Sequence, residues 1–288
     1  MTVHLVCSDY KSDWIIARLC RHLVKYNGWS VGHGPDAHAG LNIYFPYVFY
    51  RPDKHPRKTL AAGFMTHREK GAKGRMWERA AHGLDLRVCM AEQYARELAG
   101  HGESVAVPVC YETKLFTPRV KAENKRPRVG LGGTVYRGGR KGESLALALY
   151  RAKRDRWEIV ASGKPMGNST AWPIPSHVYP WVDMPRYYWG LDVYVSTSTI
   201  EGGPVTLLEA LGCGRPVVIG EGVGIESELP RASGIQRYKC GDLDSLIAAI
   251  KAALNSPMKP EELQGLVAER TPRAWAAGWA SAVLEVSA

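Results

Sequence analysis

The sequence predicts an α/β protein made of two Rossmann-like domains facing each other across a cleft. Three observations carry that prediction. Short apolar runs alternate with helix-periodic segments, and the alternation occurs twice; such a pattern builds parallel sheets flanked by helices. A proline-bearing, highly charged stretch at 116–128 (FTPRVKAENKRPR) separates the two rounds and reads as a linker. The length, 288 residues, suits two cores of ordinary size.

In order along the chain, Val3 to Cys7 reads as a short strand. Residues 13–26 then place Trp14, Ile15, Ala17, Leu19 and Leu23 at helical spacing, and Asn27-Gly28 stops the helix. Strands are expected at 41–45, 60–65, 86–90 and 105–109, with helices at 76–82 and 92–98. Past the linker the pattern predicts a strand at 129–131, a helix at 143–153, and strands at 157–161, 178–182 and 192–196. A helix at 204–211, a strand at 216–219 and a helix at 242–254 follow, and helical text returns at 260–269 and 272–286. The expected domains are 1–118 and 119–270, with 271–288 a helix packing back toward the first. In open sheets of this kind ligands bind in the crevice beyond the carboxyl ends of the strands.

Composition excludes a disordered or fibrous chain, since 45% of residues are hydrophobic and 23% charged. No basic segment followed by a signal-length apolar run opens the sequence, and no window approaches ~20 apolar residues, so a cytoplasmic location is expected, peripheral to a membrane at most. The six cysteines form no CxxC pair and lie mostly in apolar text; they read as reduced, small core residues. The net charge of +10 comes from two tracts. Residues 51–79 hold nine Lys/Arg against three acids, and 119–156 hold twelve against three. Tracts of this sign attract phosphates, whether on a nucleotide, on DNA or on an anionic membrane.

The most informative stretch runs from Leu191 to Val218. An apolar strand ends in Ser196-Thr197-Ser198, and Glu201-Gly-Gly-Pro-Val-Thr-Leu-Leu-Glu209 follows. Pro204 suits a first helical position, Gly212 and Gly214 suit the exit, and Gly202 and Gly203 bare backbone N–H groups at the positive end of the helix. Glu209 lies five residues beyond Pro204, about 7–8 Å along the axis. Carboxylates so spaced accept hydrogen bonds from hydroxyls at two ends of one elongated ligand, with a phosphate between them on the helix start. A nucleotide-sugar has that shape.

This stretch resembles the donor-binding signature of GT-B glycosyltransferases of the retaining family-four type, glycosyl transferases group 1. The resemblance implies that Glu201 contacts the donor sugar, that Glu209 contacts the ribose, and that Gly202, Gly203 and Pro204 bring backbone to the sugar and phosphates. The run 129–142 (VGLGGTVYRGGRKG) is similar to that family's glycine turn and basic segment. It implies donor contacts from Gly133, Thr134, Arg137, Arg140 and Lys141, with Lys141 the phosphate-neutralising lysine. Thr134 stands where the family has an arginine, and Arg137 is the candidate substitute. Leu60 to Glu69, an apolar strand ending in Thr66-His67, resembles the segment from which the N-terminal domain presents a histidine to the transferred sugar. That makes His67, Glu201 and Lys141 the catalytic candidates.

The implied activity is metal-independent, retaining transfer of a sugar from a nucleoside diphosphate sugar to a hydroxyl on a saccharide or lipid-linked acceptor. No cofactor or metal is expected. The alternatives are a DNA glycosyltransferase acting on hydroxymethylated bases, with DNA or a membrane held by tracts 51–79 and 119–156, and a non-catalytic binder of the same fold. Asp242-Leu-Asp244 has the spacing of a metal-binding DxD but reads better as a helix cap. His33, Asp36 and His38 lack metal-ligand spacing, and Tyr187-Tyr-Trp189 reads as packing rather than a stacking platform.

Overall fold

A computed structural model describes residues 1–120, 123–132, 139–163 and 172–287. The chain divides into two compact units, one of Met1–Cys110 with Arg270–Ala288, the other of Tyr111–Glu269. Each carries a parallel sheet that is six strands wide among the described residues.

In the first unit the strands are β1 (Val3–Val6), β2 (Ser30–Gly32), β3 (Leu41–Tyr44), β4 (Leu60–Met65), β5 (Leu86–Cys89) and β6 (Ser104–Ala106), with spatial order β2-β1-β3-β4-β5-β6. Helices α1 (Ile15–Asn27), α2 (Ala72–Gly83) and α3 (Glu92–Leu98) make the crossovers. Every residue of β1, β3 and β5 is buried, as both-face coverage of a parallel sheet demands. Gly28 ends α1 in a left-handed conformation, its N–H bonded to Val24 O.

The last helix, Pro272–Ser287, packs on this unit. Its Trp275 and Trp279 meet the stacked rings of Phe45 and Phe64, with centroids 5.7–6.2 Å apart, and Asn27 Nδ2 donates to Ala276 O at 3.0 Å. Edge-to-face aromatic pairs add about 0.5–1.5 kcal/mol each beyond the area they bury.

In the second unit β7 (Arg128–Leu131), β8 (Glu158–Ser162), β9 (Ser176–His177), β10 (Val193–Val195), β11 (Val217–Gly220) and β12 (Ile235–Tyr238) lie in the order β12-β11-β10-β7-β8-β9. The helices are α4 (Glu143–Lys153), α5 (Met184–Trp189), α6 (Val205–Gly212), α7 (Leu243–Leu254) and α8 (Pro260–Gly265), which makes the terminal helix α9. Val129, Leu131, Leu149, Ile159, Val193, Val195, Val218, Leu246 and Ile250 form one apolar cluster between sheet and helices. Each such side chain contributes roughly 1.5–3 kcal/mol on burial.

Several expectations need correction. The stretch 116–128 is not a linker where it is described. Phe116 is fully buried against Tyr188, Thr117 O accepts from Trp189 Nε1 at 2.8 Å, and Arg119 stacks 3.6 Å above the Trp189 ring. Asn124 bonds Asp192 Oδ2 at 2.8 Å. The units therefore divide between Cys110 and Tyr111 rather than at 118. The strand expected at 178–182 is absent: β9 stops at His177, and Trp181–Asp183 makes a single 3-10 turn. Pro180 has no N–H to donate to a ladder, and Val178 and Val182 are exposed. Helix α2 begins at Ala72, four residues before its first apolar periodic position, because Gly71 at φ 72° turns the chain into it. Strands β2 and β12 were not expected from the sequence, and their burial patterns show why: neither presents an apolar run.

Asp242 does cap α7, accepting from Ser245 N at 3.0 Å. Tyr187 and Tyr188 are core residues, and Tyr187 donates to Leu131 O at 2.7 Å. The second basic tract does not form one patch along the chain. Arg140 and Lys141 precede the start of α4, whereas Arg151, Arg154 and Arg156 stand at or past its far end, about 16 Å away by helical rise. No helix among the described residues is long and apolar enough to cross a membrane.

One buried ion pair braces the β11–β12 connection. Arg237 donates to the Glu226 carboxylate and to Leu229 O at 2.7 Å. Burial alone would raise the Glu226 carboxyl, but hydrogen bonds from Arg237 and Gly222 and the charges of Arg237 and Arg231 hold it below the usual carboxylate range. The resulting stability is complete above the unfolded value of about 4.3 and is lost as pH falls through the lower folded value. Arg237→Ala is expected to cost about 1–3 kcal/mol, because it leaves the buried carboxylate with only the Gly222 N–H and the exposed Arg231. Urea unfolding at neutral pH checks this, and the difference from the parent is expected to shrink below pH 4.

Candidate functional site

The strand order of the second sheet reverses between β7 and β10. From β7 the chain moves outward to β8 and β9, then returns to lay β10 on the other side of β7. The loops leaving β7 and β10 therefore flank the topological switch point, where an open parallel sheet leaves a crevice. The first carries Arg140 and Lys141, the second Ser198 and Glu201.

These two loops are sewn together. Thr197 Oγ1 donates to Lys141 O at 2.7 Å, and Thr199 donates to Arg140 O through its N–H at 2.9 Å and its Oγ1 at 3.2 Å. Gly142, at φ 68°, closes the basic turn with its N–H on Gly139 O at 3.0 Å and opens α4. A side chain there would begin 1.8 Å from Thr197 O.

On this frame the Lys141 ammonium pairs with Glu201 Oε1, and Ser198 Oγ donates to the same oxygen at 2.8 Å. The pair is neither buried nor free in water, with side chains 20% and 12% exposed. Gly224, at φ 59°, packs behind: a Cβ there would lie 2.9 Å from Pro204 Cδ and 3.3 Å from Glu201 Cβ.

Helix α6 starts one residue later than expected, with Pro204 as its N-cap rather than its first helical residue. Gly202 and Gly203 lead into it, the former buried and the latter partly exposed. Glu209 lies on α6 and is only 4% exposed, accepting from Tyr188 OH at 2.9 Å. Burial, and then the charge of Glu209, push the Tyr188 hydroxyl well above its ordinary value. It therefore stays a donor and orients that carboxylate.

The structure thus brings Arg140, Lys141 and Glu201 together and sets Glu209 deeper on the helix that follows. Gly133, Thr134 and Arg137 lie outside the described residues. His67 belongs to the first unit, just past β4, with Nε2 3.1 Å from Glu69 Oε1, which also takes Lys73 Nζ at 3.1 Å. Burial opposes ionisation of Glu69, and Lys73 and His67 outweigh it, so its carboxyl is lowered. In that sheet the order reverses between β1 and β3, so the strand before His67 is one removed from the switch.

Sequence reasoning missed Thr197, Ser198, Thr199 and Gly142 as the residues that place the pair. The signal was the Ser-Thr-Ser-Thr run at the carboxyl end of an apolar strand.

Residues 143–256 match the family described as Glycosyl transferases group 1. The second unit carries a glycosyl transferases group 1 domain. The fold of the whole chain is that of GT-B glycosyltransferases. HepE from Anabaena, in complex with UDP and glucose, superposes with a TM-score of 0.75 at 10% identity, covering 99% of both chains. Sucrose-phosphate synthase from Thermosynechococcus elongatus gives 0.72 at 14% identity, over 100% of this chain and 97% of that one. The lipopolysaccharide outer core galactosyltransferase WaaB gives 0.66 at 12% identity, over 96% and 82%. No curated protein matches the chain in sequence. The matched residues include both α4, which begins beside Lys141, and the whole Glu201–Glu209 stretch.

Proposed function

We propose that this glycosyltransferase moves a sugar from a nucleoside diphosphate sugar to a hydroxyl of a saccharide or lipid-linked acceptor, with retention at the anomeric carbon and without a metal ion. The observation that carries the reading is the Lys141–Glu201 pair, held by Ser198 at the β7/β10 switch point. An ammonium and a carboxylate side by side match the two halves of such a donor, one anionic and one rich in hydroxyls.

In this reading Lys141 leaves Glu201 for the diphosphate, assisted by Arg140 and by the backbone N–H groups of Gly202 and Gly203 at the start of α6. As the glycosidic C–O bond breaks, the electron pair goes to the phosphate oxygen, and positive charge fixed beforehand stabilises it without reorganisation. Glu201, relieved of Lys141, accepts hydrogen bonds from the sugar, and Glu209, oriented by Tyr188, accepts from the ribose. The acceptor hydroxyl attacks from the side the diphosphate leaves, and its proton passes to the departing phosphate. No side-chain nucleophile is needed, so Glu201 binds and orients. UDP is the nucleotide to try first, because HepE, which shares the fold, is known in complex with UDP and with UDP-glucose.

The test is hydrolysis and transfer from UDP-, GDP- and ADP-sugars by the parent chain and by Glu201→Gln. One donor is expected to turn over at a rate indifferent to added Mn2+, and the variant to lose about 10²–10³-fold, the scale of one catalytic hydrogen-bonding group. A variant as fast as its parent would remove Glu201 from the donor site.

A further inference from the structure

We propose that the first unit holds a divalent transition-metal site, of which Zn2+ is the natural occupant, built from Glu78, His82 and His101. One ligand atom from each of the three lies within 4.8 Å of the other two. Glu78 and His82 are four residues apart on α2, so they share a helix face. His101 comes from the turn after α3 and stands edge-on to His82, with ring centroids 4.4 Å apart. Two imidazoles and one carboxylate are the donor set of open tetrahedral zinc sites. Zn–N and Zn–O bonds of about 2.0–2.2 Å put tetrahedral ligands roughly 3.3–3.6 Å apart. Closing the trio onto an ion therefore takes side-chain movements on the order of 1 Å, which an exposed His82 and a partly exposed His101 can make.

The two elements that present these ligands are already fixed relative to one another. Arg87, 2% exposed, donates from Nε to Ala81 O at 2.7 Å, from Nη2 to Leu84 O, and from Nη1 to Glu103 O at 3.0 Å. One buried guanidinium thus ties the end of α2, next to His82, to the turn two residues past His101. Gly102, at φ 117°, keeps that turn close, since a Cβ there would meet Arg87 Nη1 at 3.0 Å. The ligands are consequently held near one another before any ion arrives, which lowers the ordering cost of binding. Glu78 also pairs with Arg68, and a carboxylate has two oxygens, so the ion pair and ligation are compatible. Nitrogen-rich donors select Zn2+, Cu2+ or Ni2+ over Mg2+ and Ca2+. The ion clamps α2 to the α3 turn and belongs to the first unit alone.

The experiment is titration of the full chain, stripped with a chelator, with ZnCl2 against a chromogenic zinc indicator. Saturation at one Zn2+ per chain is expected, with affinity falling at least tenfold in His82→Ala and in His101→Ala. The double variant His33→Ala/His38→Ala, outside the cluster, is expected to bind like the parent. Cobalt gives a readout that needs no variant: Co2+ on the parent chain should show the intense visible bands of a four-coordinate ion with nitrogen ligands. Failure of the parent to saturate with zinc, unchanged affinity in both single variants, or the pale spectrum of hydrated Co2+ in the presence of excess chain would each overturn the assignment.

Discussion

Lys141→Ala is expected to abolish most transfer while leaving the fold intact. The ammonium is partly exposed and Ser198 still donates to Glu201 once it is gone, so unfolding should shift far less than turnover. Its loss from the donor site should be severe. A unit charge about 4 Å from a phosphate oxygen, at an effective dielectric near 20, is worth about 4 kcal/mol. If even most of that is realised only as the diphosphate departs, turnover falls about 10²–10³-fold, mainly in kcat. Lys141→Arg keeps the charge but not the compact point-like head that pairs with Glu201, and partial recovery is expected. Steady-state kinetics on whichever nucleotide-sugar the parent chain turns over, read beside circular dichroism, decides the matter. A variant with an unchanged kcat and a raised KM would make Lys141 a docking charge only.

Gly142→Ala is expected to damage the second unit severely. Two penalties fall on one atom. The backbone there is left-handed, which costs an L-residue roughly 1–2 kcal/mol, and the new methyl begins 1.8 Å from Thr197 O. The obstacle is a main-chain carbonyl, so no rotamer relieves it. Either α4 backs away or the β10 loop does, and in both cases the Thr197–Lys141 bond is broken. A loss of about 3 kcal/mol or more follows, or roughly 6–12 °C in Tm for a unit of this size. Calorimetry measures it, and a variant that melted with the parent would show that the two loops are not rigidly joined.

The alternation of apolar runs with helical periodicity made the parallel sheets legible, because strands buried on both faces must be apolar throughout. The Glu201–Glu209 stretch was legible for a similar reason: glycines, a proline and two acids at fixed offsets leave few other uses. What escaped was set by contacts distant in sequence. Phe116 sits in charged text and looked like linker, yet it fills a hole beside Tyr188 that only the folded unit defines. Ile235 to Tyr238 pairs with β11 through its backbone, and its polar Gln236 and Arg237 hide the strand. The Lys141–Glu201 pair spans 60 residues; each partner could be picked out alone, but the threonine stitches that align them could not. The same holds for the zinc cluster, where Glu78 and His82 share a visible helix face and His101 is supplied by the fold.

The return of α9 to the first unit has a consequence for how the chain is made. Half of the aromatic core around Phe45 and Phe64 is contributed by Trp275 and Trp279, which leave the ribosome only after the whole of Tyr111–Glu269. The second unit, whose residues are contiguous, is free to fold during synthesis, while the N-terminal sheet waits with its tryptophan partners still unmade. Nascent chains therefore pass through a stage in which a late segment completes what an early one started, and removal of residues 270–288 uncovers Phe45 and Phe64.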